Sequence, residues 1–388
     1  MNRRRFLSRS LASLGALSLA ACGDDVTPPR PAAPEPELPG VPPVPPAPVS
    51  YPTPQFITCD PSFTDYRPAV DATGARFLFE RTPFPNPDKV DTILYIVNSN
   101  GGPACQAAAP FLAVPANPPA QYPRVQTRPD WSWQNNQIAF TGAIGTEHGD
   151  APEVHIVAAT GVAPRVVPLT GGHIYPIWTS DALQLVAYNQ APKTALPLPP
   201  VSVLIDPKSG TPAVTNLNGT DAAGVAVFGG FAAPQPGNAT HIAFAGQPAL
   251  ANWGGASGPA PSYNQDNNYV FLNAVQNGAY SSAPLEPAAS IATFDPAYQG
   301  RAPYWSPDGR YVVFESSRAG GYALFLADVA AVAKGAAPVQ LTDSGYWAQH
   351  AKFLPGGKAL VYTCLQKPSA TDTGPRGIAV IDISSYVS

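Results

Sequence analysis

The chain of 388 residues carries 49 prolines and 33 glycines, about a fifth of all positions, with 12% charged residues and a formal charge of −4. Neither proline nor glycine suits a helix interior, which excludes a mostly helical fold, and so small a net charge leaves no electrostatic footprint for nucleic acid. Hydrophobic residues make up 45% of the chain, enough to bury a core, so the composition reads as all-β and loop-rich.

The first 21 residues read as an export signal: a basic stretch, NRRRFLSR, runs into the apolar, small-residue segment 11–21, too short to span a bilayer. Arg3 and Arg4, followed after one residue by Phe6 and Leu7, resemble the twin-arginine export motif; an ordinary secretory signal with a spare arginine is the other reading. The segment ends Leu19-Ala20-Ala21-Cys22, which resembles the bacterial lipoprotein box. That resemblance implies cleavage before Cys22 and acylation of its thiol and new amino terminus, a firm membrane anchor. In such lipoproteins an Asp after the cysteine favours inner-membrane retention; Gly23 stands here instead, which points to the outer membrane. Loss of the signal leaves 18 basic against 26 acidic residues, a mildly acidic mature chain.

Residues 22–54 form the anchor and a stalk. Between 27 and 54, 13 of 28 positions are proline, a composition that adopts extended polyproline II and reaches up to about 85 Å from the membrane.

Residues 55–388 hold a repeat. Its clearest copy is WSPDGRYVVF, 305–314, where Pro307-Asp308-Gly309 supplies a tight turn between two strands. The spacing from a first aromatic to a second recurs: Trp131 to Phe140, Trp178 to Tyr188 and Phe353 to Tyr362, with weaker copies at Val70 to Phe79 and Phe231 to Phe244. A third strand follows each pair, at 93–98, 153–158, 201–206, 268–273, 323–328 and 377–382. Fourth strands are expected at 166–170, 214–218 and 339–342. Six units of four short strands define a six-bladed β-propeller, four antiparallel strands per blade. The last unit lacks a fourth strand, and Gln55-Phe56-Ile57-Thr58 resembles one, so an N-terminal strand in the last blade is expected to close the ring.

The motif WSPDGRYVVF with its following LT resembles the repeat of TolB-type six-bladed propellers. That resemblance implies an envelope binding or scaffolding propeller and carries no partner with it. Loops after second strands are long in most units, at 81–91, 142–153, 189–200, 246–268 and 366–376. Function tends to sit on elaborated loops held by a rigid scaffold. This rim is therefore the expected binding face, with Trp253 and Tyr263 as aromatic anchors and Glu147, His148 and Asp150 as a local polar cluster that lacks the paired histidines of a metal site. The expected partner is a protein or a glycan, besides the membrane through the lipid.

No assembled catalytic constellation is visible, and the serine-hydrolase elbow is absent, since Ser257 lacks its second glycine in phase. No cofactor is expected, calcium being the one candidate: hydrolytic six-bladed propellers gather carboxylates at the channel for it. A calcium-dependent hydrolase or lyase acting at the channel mouth is thus the alternative to a binding module. Of the three cysteines left after lipidation, strand direction favours a Cys59–Cys364 disulfide, with Cys59–Cys105 as the rival pairing.

Overall fold

A computed structural model describes residues 50–85, 92–98, 105–120, 122–143, 152–162, 164–169, 172–189, 201–248, 268–276, 279–287 and 296–387. Residues Ser50–Ser388 form one compact unit. The signal and lipidation residues Arg3, Arg4, Phe6, Leu7 and Cys22, and the stalk up to residue 49, lie outside the described residues. Among the described residues no helix is long and apolar enough to cross a membrane.

The N-terminal strand is β1 (Gln55–Phe56). Blade one follows as β2 (Phe63–Val70), β3 (Arg76–Pro83), β4 (Ile93–Asn98) and β5 (Ala109–Pro110), and blade two as β6 (Val125–Trp131), β7 (Gln137–Ala143), β8 (Glu153–Ala158) and β9 (Arg165–Val166). Blade three holds β10 (His173–Trp178), β11 (Leu185–Asn189), β12 (Val201–Ile205) and β13 (Val214–Asn216). Blade four holds β14 (Val227–Gln235), β15 (Asn238–Pro248), β16 (Tyr269–Gln276) and β17 (Ala279–Pro284). Blade five is β18 (Arg301–Trp305), β19 (Tyr311–Ser316), β20 (Ala323–Asp328) and β21 (Val339–Gln340); blade six is β22 (Gln349–Phe353), β23 (Ala359–Leu365) and β24 (Arg376–Asp382). Each blade is a four-stranded antiparallel sheet in chain order, and β1 is the fourth strand of blade six, pairing Gln55 with Val380 and Phe56 with Ala379.

The turn between first and second strands shows how the repeat folds locally. In blade five Gly309 takes φ +70° and its N–H donates to the Ser306 carbonyl, while Asp308 Oδ1 accepts from Ser306 Oγ and the Arg310 N–H. Corresponding turns place Gly74, Asn136, Ala182, Gly237 and Gly357 at positive φ. The second aromatics, Phe79, Phe140, Tyr188, Phe244, Phe314 and Tyr362, are all buried. They pack between neighbouring sheets, so the core is a ring of inter-blade seams, such as the cluster that joins Trp131 and Phe140 of blade two with Leu78 and Leu94 of blade one. Each such ring removes area worth roughly 2–3 kcal/mol from water. Outer strands β5, β9, β13 and β21 have two or three residues and little burial, short edges that offer little template for aggregation.

Two expectations need correction. Cys59 is bonded to Cys105, with Cα atoms 5.0 Å apart, and Cys364 is a buried free thiol. The reason is local: the Cys105 N–H donates to the Phe56 carbonyl and the Gln106 N–H to the Ile57 carbonyl, so the chain after β4 runs alongside β1. Cys364, on β23, instead packs in the seam between blades five and six, where burial pushes its thiol pKa up to about 12. In blade four the first-strand marker is Pro234, not Phe231. Pro234 pairs with Ile242 as Trp305 pairs with Val312, and Phe244 follows Ile242 by two positions as Phe314 follows Val312.

Candidate functional site at the channel end

The first strand of every blade carries a β-bulge at the same place, and in each the bulged residue is left-handed. Arg67, Arg128, Tyr175, Phe231, Ala302 and His350 have φ between 47° and 62°. Four of them precede a proline: Pro68, Pro129, Pro176 and Pro303. Proline has no N–H to lose where the ladder is interrupted, and a bulge re-aims the side chain before it. First strands are innermost in a propeller, so the bulges form a ring around the axis.

Inter-blade hydrogen bonds hold that ring in register. The Arg128 N–H donates to Glu80 Oε2 at 3.0 Å, Tyr175 N–H to Thr141 Oγ1 at 2.9 Å, His350 N–H to Glu315 Oε2 at 2.7 Å, and Arg67 N–H to Thr363 Oγ1 at 3.0 Å. Every acceptor follows the second aromatic of the preceding blade. A conformation that costs about 1–3 kcal/mol per residue is thus stabilised by a neighbour's side chain.

Inside the ring lies a small cavity lined by first-strand residues of five blades, among them Arg67, Arg128, Tyr175, Ala302, His350 and Lys352. Lys352 reaches across the axis, its Nζ 2.6 Å from Asp130 Oδ1 and 3.1 Å from the Pro129 carbonyl. Arg67 is bonded to Glu80 and Arg301 to Glu315. Arg376, at the start of β24, binds Asp372 and lies 5.4 Å over the Tyr66 ring, and Arg301 lies 4.3 Å over the Tyr322 ring. Tyr322 and Asp372 belong to loops after second strands, so the arginines cluster at the channel end where those loops emerge.

Electrostatically this end is cationic. Burial, reinforced by Arg67, Arg301, Arg376 and Arg128, holds the His350 imidazole well below its ordinary pKa, so it is neutral at physiological pH. Burial likewise raises the Tyr175, Tyr188 and Tyr304 hydroxyls, which stay protonated. Among the described residues no three His, Cys, Asp or Glu side chains gather as a metal-binding group.

Of the binding residues expected from sequence, Trp253, Tyr263, Glu147, His148 and Asp150 lie outside the described residues. The channel ring was not anticipated. Its signal in the sequence is a proline two positions before the marker in four repeats, Pro68, Pro129, Pro176 and Pro303.

Six four-stranded antiparallel sheets, joined seam to seam with their first strands around a lined channel, make the chain a six-bladed β-propeller. Among solved structures it resembles TolB from Acinetobacter baumannii, with a TM-score of 0.50 and 16% identity over 80% of this chain and 62% of that one. The chain therefore spans less than two thirds of that TolB. The GH93 α-L-arabinofuranosidase of Fusarium graminearum, in complex with arabinobiose, gives a TM-score of 0.51 at 13% identity, covering 87% of this chain and 98% of that one. A protein of unknown function from Dyadobacter fermentans matches with TM-score 0.51 and 13% identity over 85% and 98% of the two chains. At these identities the likeness is one of fold. No protein-family model and no curated protein matches the sequence.

Proposed function

We propose that the protein is an exported, lipid-anchored propeller of the bacterial cell envelope that binds a protein or glycan partner at the arginine-lined end of its channel. The observation that carries this reading is the cavity itself: five blades contribute to it, and Arg128 stands on it without an ion-pair partner among the described residues. The export motif, Cys22 and the proline stalk support a domain held off a membrane, periplasm-facing, with the outer membrane as the expected site.

Affinity capture from detergent-solubilised envelope tests the seat when wild type is compared with Ala302→Trp, which fills the cavity from one left-handed position. Retention by wild type and loss from the variant is the expected result; equal capture by both refutes the channel end as the seat. Palmitate labelling that disappears on Cys22→Ala checks the anchor separately.

A further inference from the structure

The charges around the cavity do not balance. Among the described residues five cations, Arg67, Arg128, Arg301, Arg376 and Lys352, meet four carboxylates, Glu80, Glu315, Asp372 and Asp130, each bonded to one of them. Arg128 is the cation left over. Its backbone N–H is used by Glu80, but its guanidinium makes no ion pair and lies 5.9 Å over the Tyr175 ring. Its Nε is shut off from solvent without a hydrogen-bond partner, and so are Arg67 Nε and His350 Nδ1 on the same cavity.

Buried donors rarely go unmet in folded proteins, and each costs about 1–3 kcal/mol when they do. Two such guanidinium donors, Arg67 Nε and Arg128 Nε, on one cavity, with the Arg128 charge unneutralised, form the complement of an anion; beside them His350 Nδ1 has only Glu315 Oε2, at 3.7 Å. Burial, with the Arg67 charge behind it, already presses on the Arg128 guanidinium, a strain that a bound negative charge relieves. His350, being neutral, adds a polar contact but no charge. A surplus of one positive charge matches a monoanion rather than a dianionic phosphate, and planar guanidinium groups pair carboxylates bidentately.

We propose that the channel end is a seat for a single carboxylate, held by the Arg128 guanidinium with Arg67 and His350 beside it. This rests on the reading of that end as the binding seat and adds the chemistry of the group it takes. A sugar acid and a peptide C-terminus both carry that group.

The test is calorimetric titration of the detergent-solubilised mature chain with glucuronate, N-acetylalanine, glucose and inorganic phosphate. Binding of at least one carboxylate, with none of glucose and weaker binding of phosphate, is expected. Glucuronate alone identifies a sugar acid, and N-acetylalanine alone a chain terminus. Arg128→Gln should weaken that binding at least tenfold, with Arg128→Lys intermediate and Arg124→Gln, on the surface, unchanged; circular dichroism checks folding. If Arg128→Gln does not fold, Ala302→Trp serves in its place and should abolish the signal. Failure of both carboxylates, phosphate as tight as either, or undiminished binding to Arg128→Gln overturns the proposal. Should carboxylates fail while Ala302→Trp still loses the captured partner, the seat stands and only its chemistry falls.

Discussion

His155 illustrates how single residues set the conditions under which this propeller is stable. It is fully buried on β8, stacked on Phe140 at 5.2 Å, with no hydrogen-bond partner at either ring nitrogen. Gly142 makes room for it, since a Cβ there would lie 2.5 Å from the imidazole. Burial lowers its pKa from 6.5 to about 4. The unfolded chain therefore takes up the proton below pH 6.5 while the folded one resists until about 4, so this stability is lost as pH falls through that window. Linkage puts the loss between pH 7 and pH 5 at roughly 2 kcal/mol. Denaturant unfolding at the two pH values should show it, and His155→Phe should be less pH-sensitive by that amount; an identical pH response in the variant would contradict the assignment. The Lys352–Asp130 pair gives a second prediction. Lys352→Met leaves a buried carboxylate without its cation and should cost about 3–5 kcal/mol, part of which Asp130→Asn restores. A strictly additive double-mutant cycle would show that the two side chains do not depend on each other.

At the scale of elements, the bulged first strand and the second strand that clasps it are the repeating device. Thr363 on β23 takes the N–H of Arg67 on β2, joining blade six to blade one. Thr363→Val should destabilise by about 1–3 kcal/mol and Thr363→Ser by much less, because the serine keeps the acceptor; equal effects in thermal unfolding would mean that only packing is lost. These elements were unequally legible in the sequence. Turn residues and paired aromatics identify the blades because their chemistry is local: Gly309 takes a positive φ, and Phe314 lies in a run of buried residues. The two-residue strand Ala109–Pro110 carries little pattern, and β17 (Ala279–Pro284) has no apolar alternation to announce it. Phe231 misled because an aromatic near the expected spacing looks like a marker, whereas the fold uses it as the left-handed residue and puts Pro234 at the marker. The site was hidden for a different reason. Arg67, Arg128 and His350 are far apart in sequence, and nothing but the shared bulge shows that they meet.

For the whole molecule, the ends are joined by chemistry as well as by pairing. The strand β1 lies between β24 and the segment at Cys105, and the Cys59–Cys105 bridge locks it there. Strand direction had favoured Cys364, but direction says little about a loop that turns back along an edge. With the cysteines 46 positions apart in sequence, chain entropy puts the stabilisation at about 4 kcal/mol. The Cys59→Ser/Cys105→Ser variant should unfold at correspondingly lower denaturant, and non-reducing peptide mapping should find the Cys59–Cys105 peptide with Cys364 alkylatable only after unfolding; a Cys59–Cys364 peptide would contradict the fold near β1. Six seams, six bulges and one covalent tie make a rigid frame around a channel with a surplus positive charge, and the role proposed for this frame is to hold a ligand there. A crystal structure of the mature chain with its captured partner, or with the carboxylate that binds, tests this most directly. A ligand carboxylate about 3 Å from the Arg128 guanidinium, inside the ring of six left-handed residues, is the expected result; a ligand seated elsewhere, with the channel end unoccupied, would overturn the proposal.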